Sequence, residues 1–187
     1  EKLLIETLSY YYPNAIFLTE EQENKENIEN QKEAIVIDPI DGTSNFIHGI
    51  PFVAIIIARV VNNEIIDGII YNPILNDFFW ASKGKGAWYN NKRLRVSKRQ
   101  VLTDCLIGTG IPFGERIYEN YLSQIDIISK NSAGIRRLGS AGIDLAYVAA
   151  GKFDGFWEQN LNLWDVSSGV LLVKEAGGTI SEIDGKD

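Results

Sequence analysis

Short apolar segments separated by turn-forming residues dominate the middle of the chain. Asn, Pro and Gly occupy the connections, and these are the residues that tight turns favour. Connections this short join neighbouring antiparallel strands, so the pattern predicts an antiparallel meander. Its predicted strands span residues 52–61, 64–71, 77–82, 87–89 and 93–96.

A helix and two strands are predicted before the meander. Residues 1–12 carry apolar side chains at helical spacing, which predicts an amphipathic helix, and a short apolar strand follows over 15–18. The polar, low-complexity segment 22–33 predicts a solvated loop. Residues 34–37 are apolar and mostly β-branched, which predicts a buried strand that runs directly into Asp38.

Near residue 100 the pattern changes to an alternation of strands and helices, which is typical of α/β units. Predicted strands span 104–109, 134–138, 153–157 and 179–183, and predicted helices span 118–129, 141–150 and 165–176. We therefore expect two domains. The first is an antiparallel-rich α+β domain over residues 1–100, and the second is an α/β domain over residues 101–187.

Composition narrows the possible chemistry. The 45% hydrophobic and 23% charged content is that of an ordinary globular protein, and the longest apolar run is too short to cross a bilayer. Cys105 is the only cysteine, which indicates a reducing, cytoplasmic compartment, and a single histidine, His48, argues against multi-histidine zinc sites. The net charge of −7 argues against a nucleic-acid partner. A phosphorylated substrate still fits if divalent cations bind first.

Two aspartates that follow the predicted buried strand are the first candidates for chemistry. Asp38 ends the strand, and Asp41 returns three residues later across a tight turn. Two carboxylates this close cannot both stay ionised cheaply without a cation, and Mg²⁺ prefers hard oxygen ligands such as these and the Ile40 carbonyl. Gly42 and Thr43 then begin a predicted helix, whose free N–H groups suit a phosphate.

Other candidates are weaker when each is taken alone. Asp165 stands at the start of a predicted helix, where helix capping explains an aspartate equally well, and the same holds for Asp41. Glu20 and Glu158 lie near the ends of predicted strands, where an ordinary surface position is the alternative. The Gly-Thr-Gly segment at 108–110 lacks the following helix that a nucleotide-binding loop requires.

Taken together and in order, these elements resemble the inositol monophosphatase family. The motifs are Glu-Glu at 20–21, Asp-Pro-Ile-Asp-Gly-Thr-Ser-Asn-Phe at 38–46, Gly-Ser-Ala at 139–141, Trp-Asp at 164–165 and Glu-Ala-Gly-Gly at 175–178. The resemblance covers nearly the whole chain. It implies a layered α-β-α-β-α sandwich of the sugar-phosphatase superfamily, with an antiparallel-rich first sheet and a mixed second sheet.

The resemblance also implies roles for individual residues in a site that holds two or three Mg²⁺ ions. Glu20, Asp38 and the Ile40 carbonyl would bind the first ion, and Asp38, Asp41 and Asp165 would bind the second. Glu20 and Thr43 would act as catalytic residues by positioning the attacking water. The substrate-binding residues would be Glu20, Ile40, Asp41, Gly42, Thr43, Gly139, Ser140, Ala141, Glu158 and Asp165.

The implied activity is Mg²⁺-dependent hydrolysis of inositol 1-phosphate or a similar small sugar or cyclitol monophosphate. Alternatives within the superfamily are a 3′-phosphoadenosine nucleotidase and a fructose-1,6-bisphosphatase. An alternative of another class is a non-catalytic, transcription-associated binding protein. The resemblance also implies a homodimer. Because residue 1 is Glu and the flanking helices and strands typical of the family are missing, we expect the sequence to be a piece of a longer protein.

Overall fold

The computed structural model describes residues 1–21, 31–111, 121–182 and 185. A seven-stranded sheet follows the order of the chain. Its strands are β1 Ile16–Thr19, β2 Glu33–Asp41, β3 Ala54–Val61, β4 Glu64–Asn72, β5 Asp77–Ser82, β6 Gly86–Tyr89 and β7 Lys92–Arg93. β1 and β2 are parallel, whereas every later neighbouring pair is antiparallel. The predicted antiparallel meander is therefore confirmed.

A second sheet has three strands, β8 Leu106–Thr109, β9 Gly134–Arg136 and β10 Gly155–Trp157, with β8 in the middle. Both of its pairings are parallel among the residues described, where the resemblance implied a mixed sheet. The helices are α1 Lys2–Tyr11, α2 Thr43–Ile47, α3 Tyr121–Asn131, α4 Ala141–Ala149 and α5 Leu163–Glu175. No helix in the described ranges is long and apolar enough to span a membrane.

The main core forms where α4 and α5 pack against the first sheet. Ile56, Ile70 and Phe79 from the strands meet Ile143 and Leu172 from the helices, and all five are nearly or fully buried. β2 is buried along almost its entire length, as an interior strand covered on both faces should be. α5 also packs on β2, and Asp165 in its first turn lies near Asp38 and Asp41.

Sequence and structure differ after β6. The strand predicted over 93–96 ends at Arg93, because the chain turns toward the end of α5. There the Val96 N–H donates to the carbonyl oxygen of Ala176 at 3.2 Å. The backbone N–H of Val96 is therefore bonded to the end of α5 and not to a neighbouring strand.

Two other predictions meet the limits of the described ranges. Residues 179–182 do not form the predicted strand but border cavities beside β10, and residue 183 lies outside those ranges. Most of the loop predicted over 22–33 and the start of the helix predicted from 118 also lie outside them.

Candidate active site

The first sheet brings Glu20 and Asp38 together at one edge. β1 and β2 run parallel, with Thr19 opposite Ile37, so the residue after each of these positions lies at the same edge of the sheet. The Glu20 N–H donates to the Ile37 carbonyl oxygen at 3.3 Å, which fixes the end of β1 against β2. Glu20 is exposed, whereas Asp38 is only 2% exposed.

β2 continues through Asp41, so the tight turn predicted between Asp38 and Asp41 is wrong: the strand instead has an irregular register against β3 between these two residues. The Ile40 N–H donates to Asp38 Oδ1 at 2.9 Å, and the Thr43 hydroxyl donates to the Ile40 carbonyl oxygen at 3.0 Å. Gly42 has a positive φ of 82°, and a Cβ at this position would lie 2.7 Å from the carbonyl oxygen of Phe52. Glycine is required at 42 for both reasons, and α2 begins directly after it, as predicted.

The N-terminus of α4 receives the side chain of Asp41. The Ser140 hydroxyl donates to Asp41 Oδ2 at 2.5 Å, and the Gly142 N–H donates to the same oxygen at 2.9 Å. The Ser140 hydroxyl also accepts a hydrogen bond from the Ile143 N–H, so it caps the helix. Free N–H groups at a helix start favour a carboxylate.

Asp165 lies in the first turn of α5. With Asn162 it forms a capping box, in which the Asn162 N–H donates to Asp165 Oδ2 at 2.6 Å. Asp165 therefore does cap α5, which was one of the two explanations that the sequence allowed. Asp165 also lies close enough to Asp38, Asp41 and Glu158 to raise the pKa of each. The structure thus brings it to the predicted cluster as well.

Burial and mutual repulsion shape the electrostatics of these carboxylates. Burial, together with the charges of Asp41, Glu20 and Asp165, raises the pKa of Asp38 to about 9. Burial raises the pKa of Asp41 only to about 6, because the donors Ser140 and Gly142 lower it again. No cationic side chain is among the groups that shift the pKa of either residue most.

Glu158 follows β10 and reaches back over β8. A Cβ at Gly110 would overlap the Glu158 carboxylate, so the glycine leaves the space that this side chain occupies. Burial raises the pKa of Glu158 to about 7, and the charges of Asp41 and Asp165 contribute. Glu158 also lines a cavity of about 800 Å³ whose walls do not include the carboxylates of β2.

The remaining predicted pocket residues, Gly139 and Ala141, flank Ser140. Gly139 has a φ of 82°, and the Asn45 side chain packs within 3.1 Å of the place a Cβ would take. The Asn45 amide donates to the Phe52 and Leu138 carbonyl oxygens, each at 2.7 Å. Ser140 is 1% exposed, and Ala141 is also buried.

The donor set fits a divalent cation in its chemistry. Asp38 and its neighbours are hard oxygen donors that repel one another, and the Ile40 carbonyl adds a neutral oxygen. The side chains have not converged, however. In the described part of the chain, no three His, Cys, Asp or Glu side chains already have an arrangement that could hold a metal ion. The carboxylates are therefore near enough to shift pKa values without sharing one coordination point.

Three residues of this site were missed by the sequence reasoning. Asn45 is the eighth residue of the 38–46 motif, and its place in that motif was the available signal. Gly142 and Asp144 lie in the first turn of α4, directly after the recognised Gly-Ser-Ala motif, but nothing in the sequence showed that they would lie near Asp41. Asp144 is 1% exposed, and burial together with the charges of Glu158 and Asp41 raises its pKa to about 8.

Comparison with known proteins shows the family to which the chain belongs. The chain is 46% identical over 190 residues to the "Inositol-1-monophosphatase" of Caulobacter vibrioides, covering 100% of this chain and 74% of the relative. It is 47% identical over 153 residues to the "Nus factor SuhB" of Pseudomonas aeruginosa, covering 80% of this chain and 56% of the relative. A crystal structure of extragenic suppressor protein suhB from Bartonella henselae superposes with a TM-score of 0.93 at 45% identity, covering 99% of this chain and 71% of that one. The profile described as "Inositol monophosphatase family" matches residues 1–187, and the chain belongs to this family.

Proposed function

We propose that this chain belongs to a Mg²⁺-dependent phosphomonoesterase that hydrolyses inositol 1-phosphate or a similar small sugar or cyclitol monophosphate. Membership of the family supports a metal-dependent phosphatase. One structural observation carries the proposal further. Glu20, Asp41 and Asp165, from three separate parts of the chain, all lie close enough to the buried Asp38 to raise its pKa.

Two groups of oxygens would hold the cations. Glu20, Asp38 and the Ile40 carbonyl form the first, and Asp38, Asp41 and Asp165 form the second. Bound Mg²⁺ ions supply an acidified water and neutralise charge on the leaving oxygen. Because the donors have not converged in the described residues, binding must draw them together.

The roles of the protein groups follow from their exposure and contacts. Glu20 is exposed at the sheet edge, so its carboxylate can accept a proton from a water there. The Thr43 hydroxyl already contacts the Ile40 carbonyl oxygen and would help to orient that water. The Gly42 and Thr43 amides would hold the phosphate.

The alcohol portion of the substrate would lie toward Glu158, with Asp165 contacting a hydroxyl. Glu158 is the group best placed to accept hydrogen bonds from a polyol, because Gly110 leaves room for its carboxylate. Gly139 and Ala141 would contribute backbone atoms. Ser140 is buried and its hydroxyl contacts Asp41, so we propose that it acts on the substrate only through its backbone.

Phosphate release from inositol 1-phosphate, measured with and without Mg²⁺, tests the proposal. We expect Mg²⁺-dependent release from the wild-type protein and a rate at least about a hundredfold lower for Asp38→Asn. Equal rates for the two proteins would contradict the mechanism. A panel that includes 3′-phosphoadenosine 5′-phosphate and fructose 1,6-bisphosphate decides among the activities of the superfamily.

A binding role in transcription is the second candidate, because a relative 47% identical to this chain is named a Nus factor. It predicts a stable protein partner in a pull-down and no Mg²⁺-dependent hydrolysis.

Size-exclusion chromatography with light scattering tests the homodimer that we propose for either role.

A further inference from the structure

We infer that Ser140 and Gly142 are positioning residues that hold Asp41 as a ligand for a divalent cation. The inference rests on the proposed function, in which Asp41 binds Mg²⁺. The Gly-Ser-Ala motif at 139–141 would then do more than contact the alcohol, because the Ser140 hydroxyl donates a hydrogen bond to the carboxylate of Asp41.

The contacts of Asp41 carry the inference. The Ser140 hydroxyl and the Gly142 N–H both donate to Asp41 Oδ2, at 2.5 Å and 2.9 Å. Neither of these two donors is hydrogen-bonded to Asp41 Oδ1. Ser140 is 1% exposed and Asp41 is 7% exposed, so water competes little for these bonds. Two donors on one oxygen fix the rotation of the carboxylate.

The missing side chain at Gly142 is a second, independent observation. A Cβ at this position would lie 2.9 Å from Asp41 Oδ2 and 2.6 Å from Ile56 Cδ1. A residue with a side chain would therefore push the carboxylate or the core isoleucine away. The glycine allows the first turn of α4 to approach β2 closely enough for its N–H to donate.

Asn45 ties the same two segments together from the other side. Its amide donates to the carbonyl oxygen of Leu138, two residues before Ser140, at 2.7 Å. The Gly42 turn also packs against this segment, since a Cβ at 42 would lie 3.1 Å from the Gly139 carbonyl oxygen. The segment that carries Asp41 and the start of α4 are thus held as one unit.

A double-mutant cycle on the full chain tests the inference, with calorimetric titration of MgCl₂ into the metal-free protein. We expect Ser140→Ala to weaken Mg²⁺ affinity by about tenfold to a hundredfold, as loss of a group that orients a metal ligand does. In the Asp41→Asn background the same change should have little further effect, because the side chain that Ser140 positions is already altered. Equal weakening in both backgrounds, or no weakening in either, would overturn the inference.

Ser140→Gly separates positioning from helix capping. Glycine is well tolerated at an N-cap, whereas alanine is a poor N-cap residue. Both variants lose the hydroxyl that donates to Asp41. We therefore expect the same loss of Mg²⁺ affinity from both, with a smaller loss of thermal stability for Ser140→Gly. If Ser140→Ala instead loses more Mg²⁺ affinity than Ser140→Gly, in step with its larger loss of thermal stability, Ser140 has only a structural role and the inference is overturned.

The two proposals can fail separately. Hydrolysis of inositol 1-phosphate with an additive cycle leaves the proposed function intact and removes the inference. A coupled cycle in Mg²⁺ affinity without hydrolysis removes the proposed phosphatase activity and supports the inference. Absence of Mg²⁺ binding by the wild-type protein contradicts both.

Discussion

Asp38 at the edge of the first sheet and Asp41 beside α4 are both buried carboxyl groups, yet different surroundings set their pKa values. Asp38 lies among other carboxylates, and its pKa is raised to about 9, chiefly by burial and next by Asp41. Asp41 is also buried, but hydrogen bonds from Ser140 and Gly142 offset much of that effect and its pKa rises only to about 6. The sheet side thus crowds acidic groups together and disfavours their ionisation, whereas the α4 side supplies donors that stabilise an ionised carboxylate.

Glu20→Gln removes a carboxylate from the sheet side, and we expect it to have the largest effect on catalysis. Glutamine keeps the shape but cannot accept a proton, so we expect kcat to fall by about 10²–10³. Glu21→Gln is the matched control, since Glu21 is the adjacent exposed glutamate. Steady-state kinetics on inositol 1-phosphate checks this. Similar losses in the two variants would mean that overall negative charge matters and not the position of Glu20.

Gly142→Ala breaks the α4 side. The added methyl group would meet Asp41 Oδ2 and Ile56, so we expect Mg²⁺ affinity to fall by about tenfold to a hundredfold. Gly155→Ala is the control, because a Cβ there meets only Ile107 Cδ1 at an ordinary 3.5 Å. Calorimetry on both variants measures the difference. An unchanged affinity for Gly142→Ala would show that close approach of α4 is unimportant for Asp41.

Gly110→Ala sharpens the comparison because it displaces Glu158. A Cβ at 110 would occupy the space of the Glu158 carboxylate, which must then swing away from the proposed alcohol pocket. Losing one hydrogen bond to the substrate predicts a KM about tenfold higher, with Mg²⁺ affinity unchanged. A drop in Mg²⁺ affinity would instead place Glu158 among the groups that hold the cation.

Asp144→Asn has the smallest expected effect, and it acts on stability. Burial, with Glu158 and Asp41, raises the pKa of Asp144 from 3.8 to about 8, and its Oδ1 has no hydrogen-bond partner in the described residues. The folded protein therefore binds this proton more tightly than the unfolded chain does, and Asp144 lowers the free energy of unfolding as pH rises through this range.

We expect Asp144→Asn to raise the free energy of unfolding of the metal-free protein at pH 8 by about 1–2 kcal/mol. At pH 4 the change should be close to neutral. Urea unfolding at the two pH values measures it, and Asp126→Asn serves as an exposed control that pairs with Lys130. Equal effects at both pH values would contradict the assigned ionisation.

The sheet side could be predicted from the sequence because its residues are close in the chain. Asp38, Asp41 and Thr43 lie in one motif that follows a β-branched strand, and the parallel neighbour carries Glu20 at the same edge. Local patterns of this kind specify both the strand and the turn at Gly42. The antiparallel meander was predictable for the same reason, whereas the parallel pairing of β1 with β2 was not predicted.

The α4 side depended on long-range packing and was predicted only in part. Gly110 and Gly142 matter because they leave space for neighbouring groups. Asp144 looks like an ordinary helix residue until folding buries it near Glu158 and Asp41. The Gly-Ser-Ala motif was recognised, but the partner of the Ser140 hydroxyl lies 99 residues away. A single sequence does not show which of its residues will be brought into contact by folding.

The most direct test of the metal site is titration of Mg²⁺ into the metal-free protein, with Asp38→Asn in parallel. Asp38 is the residue on which the charges of Asp41, Glu20 and Asp165 all act, and it belongs to both proposed groups of ligands. We expect the wild-type protein to bind Mg²⁺ and the variant to bind it at least about tenfold more weakly. Equal affinity in the two proteins would contradict a cation site built on these four carboxylates.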